Sequence, residues 1–599
     1  MPEPQTGAML INVLVSPAIL DPLRRSLSWL LSLRDADGKI VCPQHKVEHT
    51  GKTAGVIGLA LALREHDPDA DRAELLGVAV QQARRMVQNL VNEPDSPCYT
   101  FRPGRHDPFN CSNSVIDGGA CADALAQLVR EAGDELSPAD REAFKAASLC
   151  HARTYLRYAV LDKGIPAQRA WGLVGLAGAC SLERDVDLEK AAIEAVGVLE
   201  GVQLIDGAYP YHPKEWGAEH PGSADASAFY QSRVTGFLLE ALRLLERDPR
   251  DPLFAPPLRR GLSFLRALQG PGGRKCGLVE AKPWYWGASY EVASNPFDVF
   301  ALSRGYSLFG GVELAVAAAR AFRAWSAHVS PEGILASHKP GVGTGESYQC
   351  PVFWAGHAAW IARCIPELDR ALAVADTQTP TNPEASLELQ VTHFPAVNLV
   401  RLEDAAVVAW VRGERPPGNI HHGSPHGGLL QVVRKSDGRD LLERQRHAIP
   451  QEAEWSAKAG LFSLVRGLRS CGKELRFSLW LARADVRRGE PWRALRRPFE
   501  MLKQGVIAFG SGASSTAFDR SAELDSFADG VSLSSRLAHR DGSAGGGPKF
   551  SRSFRLAGDG LMVEEKLLDT RPMRGLVYRI PAAAEEIERD DRTLRYKLS

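Results

Sequence analysis

The sequence predicts a chain of two parts: an N-terminal (α/α)6 toroid, complete or incomplete, followed by a large antiparallel β-sandwich. Three observations carry this reading. Apolar residues recur at helical spacing in consecutive pairs along roughly the first 370 residues. The links within several pairs repeat one short phrase around a glycine, and beyond Leu372 the texture changes to short β-rich runs.

The first helices of the pairs are expected near Leu20 to Leu33, Leu75 to Leu90, Pro138 to Tyr158, Leu188 to Leu204, Leu258 to Leu268 and Glu313 to Val329. Their partners fall near Thr53 to Arg64, Ser114 to Glu131, Ala170 to Leu182, Gln231 to Arg247, Pro296 to Leu308 and Phe353 to Ile365. The repeated phrase appears as Asp37-Gly-Lys-Ile, Lys163-Gly-Ile, Asp206-Gly-Ala-Tyr and Glu332-Gly-Ile, where glycine takes a left-handed conformation without strain. Hairpins of this kind arranged in a ring place the second helices inside and gather the links at one mouth. An open helical solenoid is the alternative, but links rich in Trp, Tyr and His favour a functional mouth.

The toroid is assigned to residues 1–375, a polar, proline-bearing linker to 376–386 and the sandwich to 387–599. Strands are expected at Ala396 to Leu402, Ala405 to Val411, Leu429 to Val433, Leu475 to Leu481, Val506 to Phe509, Val531 to Leu537 and Phe550 to Leu556.

The chain has 599 residues, with Lys+Arg and Asp+Glu both at 72, so the formal net charge is zero. That length is ample for two cores, and the balance implies neither a nucleic-acid nor a membrane partner. The apolar run Met9 to Val15 lacks the basic flank of a secretory signal and is too short to span a bilayer, which suggests a cytoplasmic protein rather than a periplasmic one. Ten cysteines lie scattered, with Cys121, Cys180 and Cys364 on apolar helix faces, as expected of buried thiols. A monomer or homodimer is expected.

The most informative stretch runs from Asp206 to Leu242. It places His212 in a loop and Tyr230 and Arg233 at the start of an inner helix, three residues apart and so projecting to one side. Asn110 and Asn113 lie in a loop directly before the second inner helix, where an amide either donates to an anion or caps the helix. An amide, an imidazole, a phenol and a guanidinium together suit proton abstraction beside a carboxylate. In a uronic acid, the proton at C5 becomes removable once donors neutralise the carboxylate; a base then takes it and the 4-linked oxygen leaves. No cofactor is required for this chemistry.

Trp284, Trp286 and Tyr290, with Trp216, Tyr348 and Trp354, either stack on sugar rings or plug one side of the toroid. His45, Lys46, His49 and Lys52 form a basic rim beside which Arg105 is a further cation for an acidic glycan. His421, His422 and His426 sit in one glycine-flanked loop, which is an inert surface loop, reaches over the cleft with His422 meeting substrate, or leaves room for a structural zinc or calcium ion; an inert loop is the commonest use of such a stretch.

These features together resemble the toroid-type polysaccharide lyases, the heparinase II/III-like and chondroitin AC lyase-like group. The resemblance rests on the order toroid then sandwich, an early asparagine loop, Asp206-Gly-Ala-Tyr-Pro-Tyr-His212, then Tyr230 and Arg233. It implies cleavage of a uronate-containing glycan by β-elimination, with Asn110 or Asn113 on the carboxylate, His212 and Tyr230 moving protons and Arg233 assisting. Relatives often carry a histidine beside the tyrosine, where this chain has Gln231. The rival classes are a glycoside hydrolase using two of Asp117, Asp225, Glu291 and Asp298, a uronate epimerase on the same site, and a non-catalytic glycan-binding protein. The domain assignment has its own test: limited proteolysis is expected to cut first between Leu372 and Leu387, leaving a helical and a β-rich fragment.

Overall fold

Helices alternate between an outer and an inner layer along the first part of the chain. A computed structural model describes residues 15–43, 48, 50–90, 115–162, 164–213, 225–273, 275, 276, 278, 288–334, 351–377, 389–414, 427–442, 452–457, scattered positions in 479–495, 514–539, 544–569 and 575–599, the side chains of 288–293 and 544–547 excepted. In chain order the helices are α1 (Pro17–Ser32), α2 (Ala54–His66), α3 (Arg72–Gln88), α4 (Ile116–Ala132), α5 (Pro138–His151) with its continuation α6 (Arg157–Ala159), α7 (Pro166–Cys180), α8 (Val186–Gly201), α9 (Ala228–Leu244), α10 (Ala255–Ala267), α11 (Ala288–Phe309), α12 (Val312–His328), α13 (Pro351–Gly356), α14 (Ala358–Ala362) and α15 (Ile365–Thr377).

Helices α2, α4, α7, α9, α11 and α14 each pack against the next, and α14 returns to α2. The toroid is therefore closed. Closure at this radius requires backbone to meet backbone, and glycine supplies the room. A Cβ on Gly175 of α7 would stand 2.5 Å from the carbonyl oxygen of Gly119 on α4, and one on Gly55 of α2 would stand 2.2 Å from that of Gly356. Neither position tolerates even alanine without moving a helix.

Apart from α10 and α12, which follow Phe254 and Gly311, the outer helices start on side-chain caps: Ser16, Asp71, Ser137 and Asp185 accept hydrogen bonds from the first-turn amides of α1, α3, α5 and α8. The inner helices do not. Val115 and Ile165, which precede α4 and α7, carry no polar side-chain atom, and neither Thr53 nor Ser227 caps α2 or α9 through its side chain.

All six sequence-expected helix pairs are present, with two differences. Helix α11 begins at Ala288 and carries Pro296 within it, earlier than the proline suggested. Helix α15 extends to Thr377, so the first two residues of the expected linker are helical, while 378–388 lie outside the described residues. The link glycines Gly38, Gly207 and Gly333 have φ of 78°, 88° and 87°. They sit in the tight turns that follow the outer helices rather than on the last helical turn, and Gly164 is not among the positive-φ residues.

The second part holds two antiparallel sheets. Strands β1 (Gln390–Phe394), β2 (Leu399–Glu403), β3 (Val407–Arg412) and β4 (Gly428–Arg434) pair in sequence order. The larger sheet contains β5 (Trp455–Ala457), β6 (Ser514–Ser515), β7 (Glu523–Phe527), β8 (Gly530–Ala538), β9 (Ala544–Leu556), β10 (Leu561–Leu567), β11 (Leu576–Tyr578), β12 (Ala584–Arg589) and β13 (Thr593–Leu598). Its order is β11-β5-β6-β8-β9-β10-β13-β12, with β7 on β8. Of the expected strands, 506–509 lies outside the described residues, and Leu479, the described residue of 475–481, is helical.

Alternation along β3 explains how the parts join. Val407, Ala409 and Val411 face the larger sheet and its Val531, Phe554, Val563 and Tyr596. Val408 and Trp410 face the toroid and pack with Phe264, Leu268, Ala226 and Ala228. Strand β3 is thus buried on both faces, and its apolar run needs no polar alternation.

One buried polar network stabilises the larger sheet. Arg552 Nε donates to both Glu565 oxygens at 3.0 and 2.9 Å, while Tyr578 and Trp455 donate to the same carboxylate at 3.2 and 3.1 Å. Burial pushes the Glu565 carboxyl up and Arg552 opposes it. Arg552→Met leaves that carboxylate buried without its cation and is expected to lower stability by about 3–5 kcal/mol, read from urea unfolding.

Candidate active site

The links that join outer to inner helices converge at the end of the toroid where the inner helices begin. The entry of α9 is held there from several sides. Gln231 uses its whole amide: Nε2 donates to Gly207 O at 2.9 Å and Oε1 accepts from Tyr209 N at 3.1 Å. Gly207 is pressed against the neighbouring helix, since a Cβ there would stand 2.2 Å from Arg260 O. Lys275 donates to the carbonyl of Ala228 at 3.1 Å, and the Ala228 amide donates to Leu278 O at 2.9 Å. Tyr211 N donates to Asp225 O at 2.6 Å, which ties the link directly to the residues before the helix.

Within this frame Tyr211 and Tyr230 lie with ring centroids 5.3 Å apart. The Arg233 guanidinium carbon stands 3.7 Å from the Phe229 ring, 4.5 Å from Phe297, 5.6 Å from Tyr230 and 6.0 Å from Trp171. Arg233 is buried, so its charge is held among aromatic faces and beside a phenol. His212 follows Tyr211 and is also buried, with Nδ1 3.2 Å from Pro213 O. The tautomer with its proton on Nδ1 presents Nε2 as an acceptor.

Beneath the mouth the ring is filled. Trp171 stacks on Phe353 at 5.6 Å, and Phe237, Phe297, His357 and Trp360 complete an aromatic layer. A cavity of about 40 Å³ remains, lined among others by Lys52, Asp123, Trp171, His357 and Arg363. That volume suits water rather than a sugar ring. Deeper still, Arg363 pairs with Asp123 and Glu240. Burial alone would raise the Glu240 carboxyl, but Arg243 and Arg363 bring it down to about 2.

Several sequence candidates lie outside the described residues: Asn110, Asn113, His45, Lys46, Arg105, Trp216, Trp284, Trp286, His421, His422 and His426. Tyr290 falls in the first turn of α11, and its side chain is likewise outside. The structure corrects other readings. Lys52 does not stand on a solvated rim; it is buried, with its ammonium 5.2 Å from the Phe353 ring centre. Trp354 is buried in the core rather than offered for stacking. Of the carboxylates available to a hydrolase, Asp225 is ion-paired with Arg412 and Asp298 with Lys275 at 2.9 Å, both within buried surroundings. Gln231, Lys275 and Arg412 were not singled out from sequence. Only Gln231 carried a signal, as the residue that departs from the family pattern.

No protein-family model matches the chain, and no curated protein matches it. Among solved structures, a chondroitin AC lyase from Streptomyces coelicolor A3 is 13% identical, over 100% of this chain and 78% of that one, with a TM-score of 0.47. A possible member of the GH105 family from Salmonella enterica is 14% identical, over 59% and 93%, with a TM-score of 0.41. A cellobiose 2-epimerase from Spirochaeta thermophila is 14% identical, over 60% and 97%, with a TM-score of 0.43. Those names span different reactions, and at such similarity they carry no argument about activity.

The helix before this link, α8, also carries a titrating group. Burial pushes the Glu200 carboxyl, near Tyr209, up to about 7, against the pull of Arg260. The folded pKa exceeds the unfolded one, so this contribution to stability is present below about pH 4 and is lost as pH rises towards 7. Melting curves at pH 5 and pH 8 are expected to show the wild type losing stability relative to Glu200→Gln across that interval.

Proposed function

We propose that the chain is an enzyme that cleaves a uronate-containing glycan by β-elimination at the toroid mouth. The observation that carries this reading is Arg233 beside the Tyr230 ring at 5.6 Å, in a buried aromatic setting at the entry of α9. A cation at this distance interacts with the ring and marks it off from an ordinary core tyrosine. Tyr230 is only partly buried, so its ring remains at the boundary between core and mouth.

In the reaction a base removes the C5 proton, the electron pair forms the C4–C5 double bond, and the C4–O bond breaks with a proton passing to the leaving oxygen. Tyr230 and His212 are the proton-transferring groups in this reading. Asn110 or Asn113 neutralises the carboxylate. His45, Lys46, Arg105, Trp216, Trp284, Trp286, Tyr290 and His422 are assigned to substrate contact. The acidic substrate matches a mouth that carries Lys52 and Arg233.

A hydrolase on this toroid requires an acid and a second carboxylate across the bond. Asp225 and Asp298 are both engaged by cations, which leaves Asp117 and Glu291 as the carboxylates for that class. An epimerase would share the proton-transfer groups and differ in retaining the C4–O bond.

The test is ultraviolet absorbance of the conjugated 4,5-unsaturated product across a panel of uronic-acid glycans. Tyr230→Phe keeps the ring and is expected to fold normally while turnover falls at least roughly 10²-fold, with His212→Ala behaving likewise. Full activity in Tyr230→Phe, or a product without the double bond, rejects the elimination.

A further inference from the structure

We propose that Arg412, on the sandwich, is a positioning residue for Tyr230 and Arg233, acting through Asp225. This rests on the reading above for its catalytic consequence, though not for its structural one. Arg412 closes β3, where its backbone is paired on both sides, to Leu399 of β2 and Gly428 of β4. Its guanidinium crosses to the toroid and its Nη2 donates to Asp225 Oδ1. Arg412 is 1% exposed and Asp225 7%.

Asp225 is placed to transmit that anchoring. Its carbonyl accepts from Tyr211 N, so the same residue fixes the ring that packs against Tyr230. It precedes α9 by only a few residues, and the adjacent Ala226 bridges to Pro210 of the link. The toroid's own restraints, Gln231 and Lys275, hold the helix from the α8 and α10 sides. Arg412 supplies the third direction, and it comes from a strand held in a sheet rather than from a loop. The sandwich is thereby a part of the site's frame and not an appended module.

Three full-length variants separate this role from general docking. Arg412→Met with Asp225→Asn removes the pair without leaving a lone buried charge. Arg412→Lys keeps the charge. Trp410→Phe removes a different inter-domain hydrogen bond, from Trp410 Nε1 to Ala267 O at 3.1 Å, at the far end of α10.

Hydrogen exchange at the Tyr211 amide is the readout that does not depend on substrate. It is expected to quicken roughly 10-fold in the double variant, to recover in Arg412→Lys and to stay unchanged in Trp410→Phe. On the glycan that the wild type cleaves, kcat is expected to fall roughly 10-fold to 10²-fold in the double variant with KM little altered. Unchanged exchange overturns the proposal whatever the substrate proves to be. Faster exchange with unaltered kcat, or an equal loss in Trp410→Phe, overturns it as well. A wild type inactive on every uronate glycan rejects the proposed elimination instead and leaves the exchange result to decide the strut.

Discussion

The structure depends on the close approach of the inner helices. A ring of six can close around side chains only if some neighbours meet at backbone distance, because larger residues at every contact would open it. Gly119 against Gly175 and Gly55 against Gly356 provide those contacts. What space is left inside is then filled by Trp171, Phe237, Phe297, Phe353 and Trp360, with the ion pairs of Arg363 below them. The axis is thus filled beneath the mouth. The position of the candidate site follows from the packing of the ring, before any side chain is assigned a reaction.

A mouth made of loops is a poor frame for proton transfer unless something holds the loops still. Here the entry of α9 is restrained by side chains that give up most of their hydrogen-bonding capacity to backbone groups. Gln231 takes one carbonyl and one amide of the preceding link, and Lys275 takes the carbonyl that begins the helix. These are buried polar groups that contribute little to a core and much to geometry, since leaving any of them unpaired would cost about 1–3 kcal/mol. Their burial explains why the loop between Asp206 and Pro213 is ordered although it is polar and proline-bearing.

Much of the fold was legible in the sequence, because helical and strand periods follow directly from which faces are buried. The six helix pairs and strands β2, β3, β4, β8 and β9 were readable in this way. Strand β1 was not, as most of its residues are exposed and its pairing with β2 rests on backbone groups that carry no sequence signal. Helix α15 was missed because its amphipathic stripe ran into a polar stretch that read as linker. At the site, Tyr230 and Arg233 were legible from their spacing. Arg412 was not: it pairs with a residue 187 positions away, and no local pattern records such a contact. Lys52 illustrates the opposite error, for a lysine among histidines reads as surface until the Phe353 ring is seen beneath it.

The charge arrangement at the mouth gives the last constraint. The chain as a whole is neutral, so an acidic partner cannot be drawn by net charge. The field has to be local. Lys52 and Arg233 are buried at the starts of α2 and α9, where the inner helices also turn their N-terminal ends. Aromatic faces below these cations solvate them only weakly, and burial keeps counter-ions at a distance, so their field is screened less than that of surface lysines. The deeper arginines, Arg243 and Arg363, are neutralised by Asp123 and Glu240 and add little outward. Where the inner helices begin, cations and carboxylates also occur together: Asp298 interacts with both Lys275 and Arg233, and Asp117 lies buried in the first turn of α4. The same parallel set of inner helices that closes the ring therefore carries its buried charges as pairs both at its beginnings and deeper down.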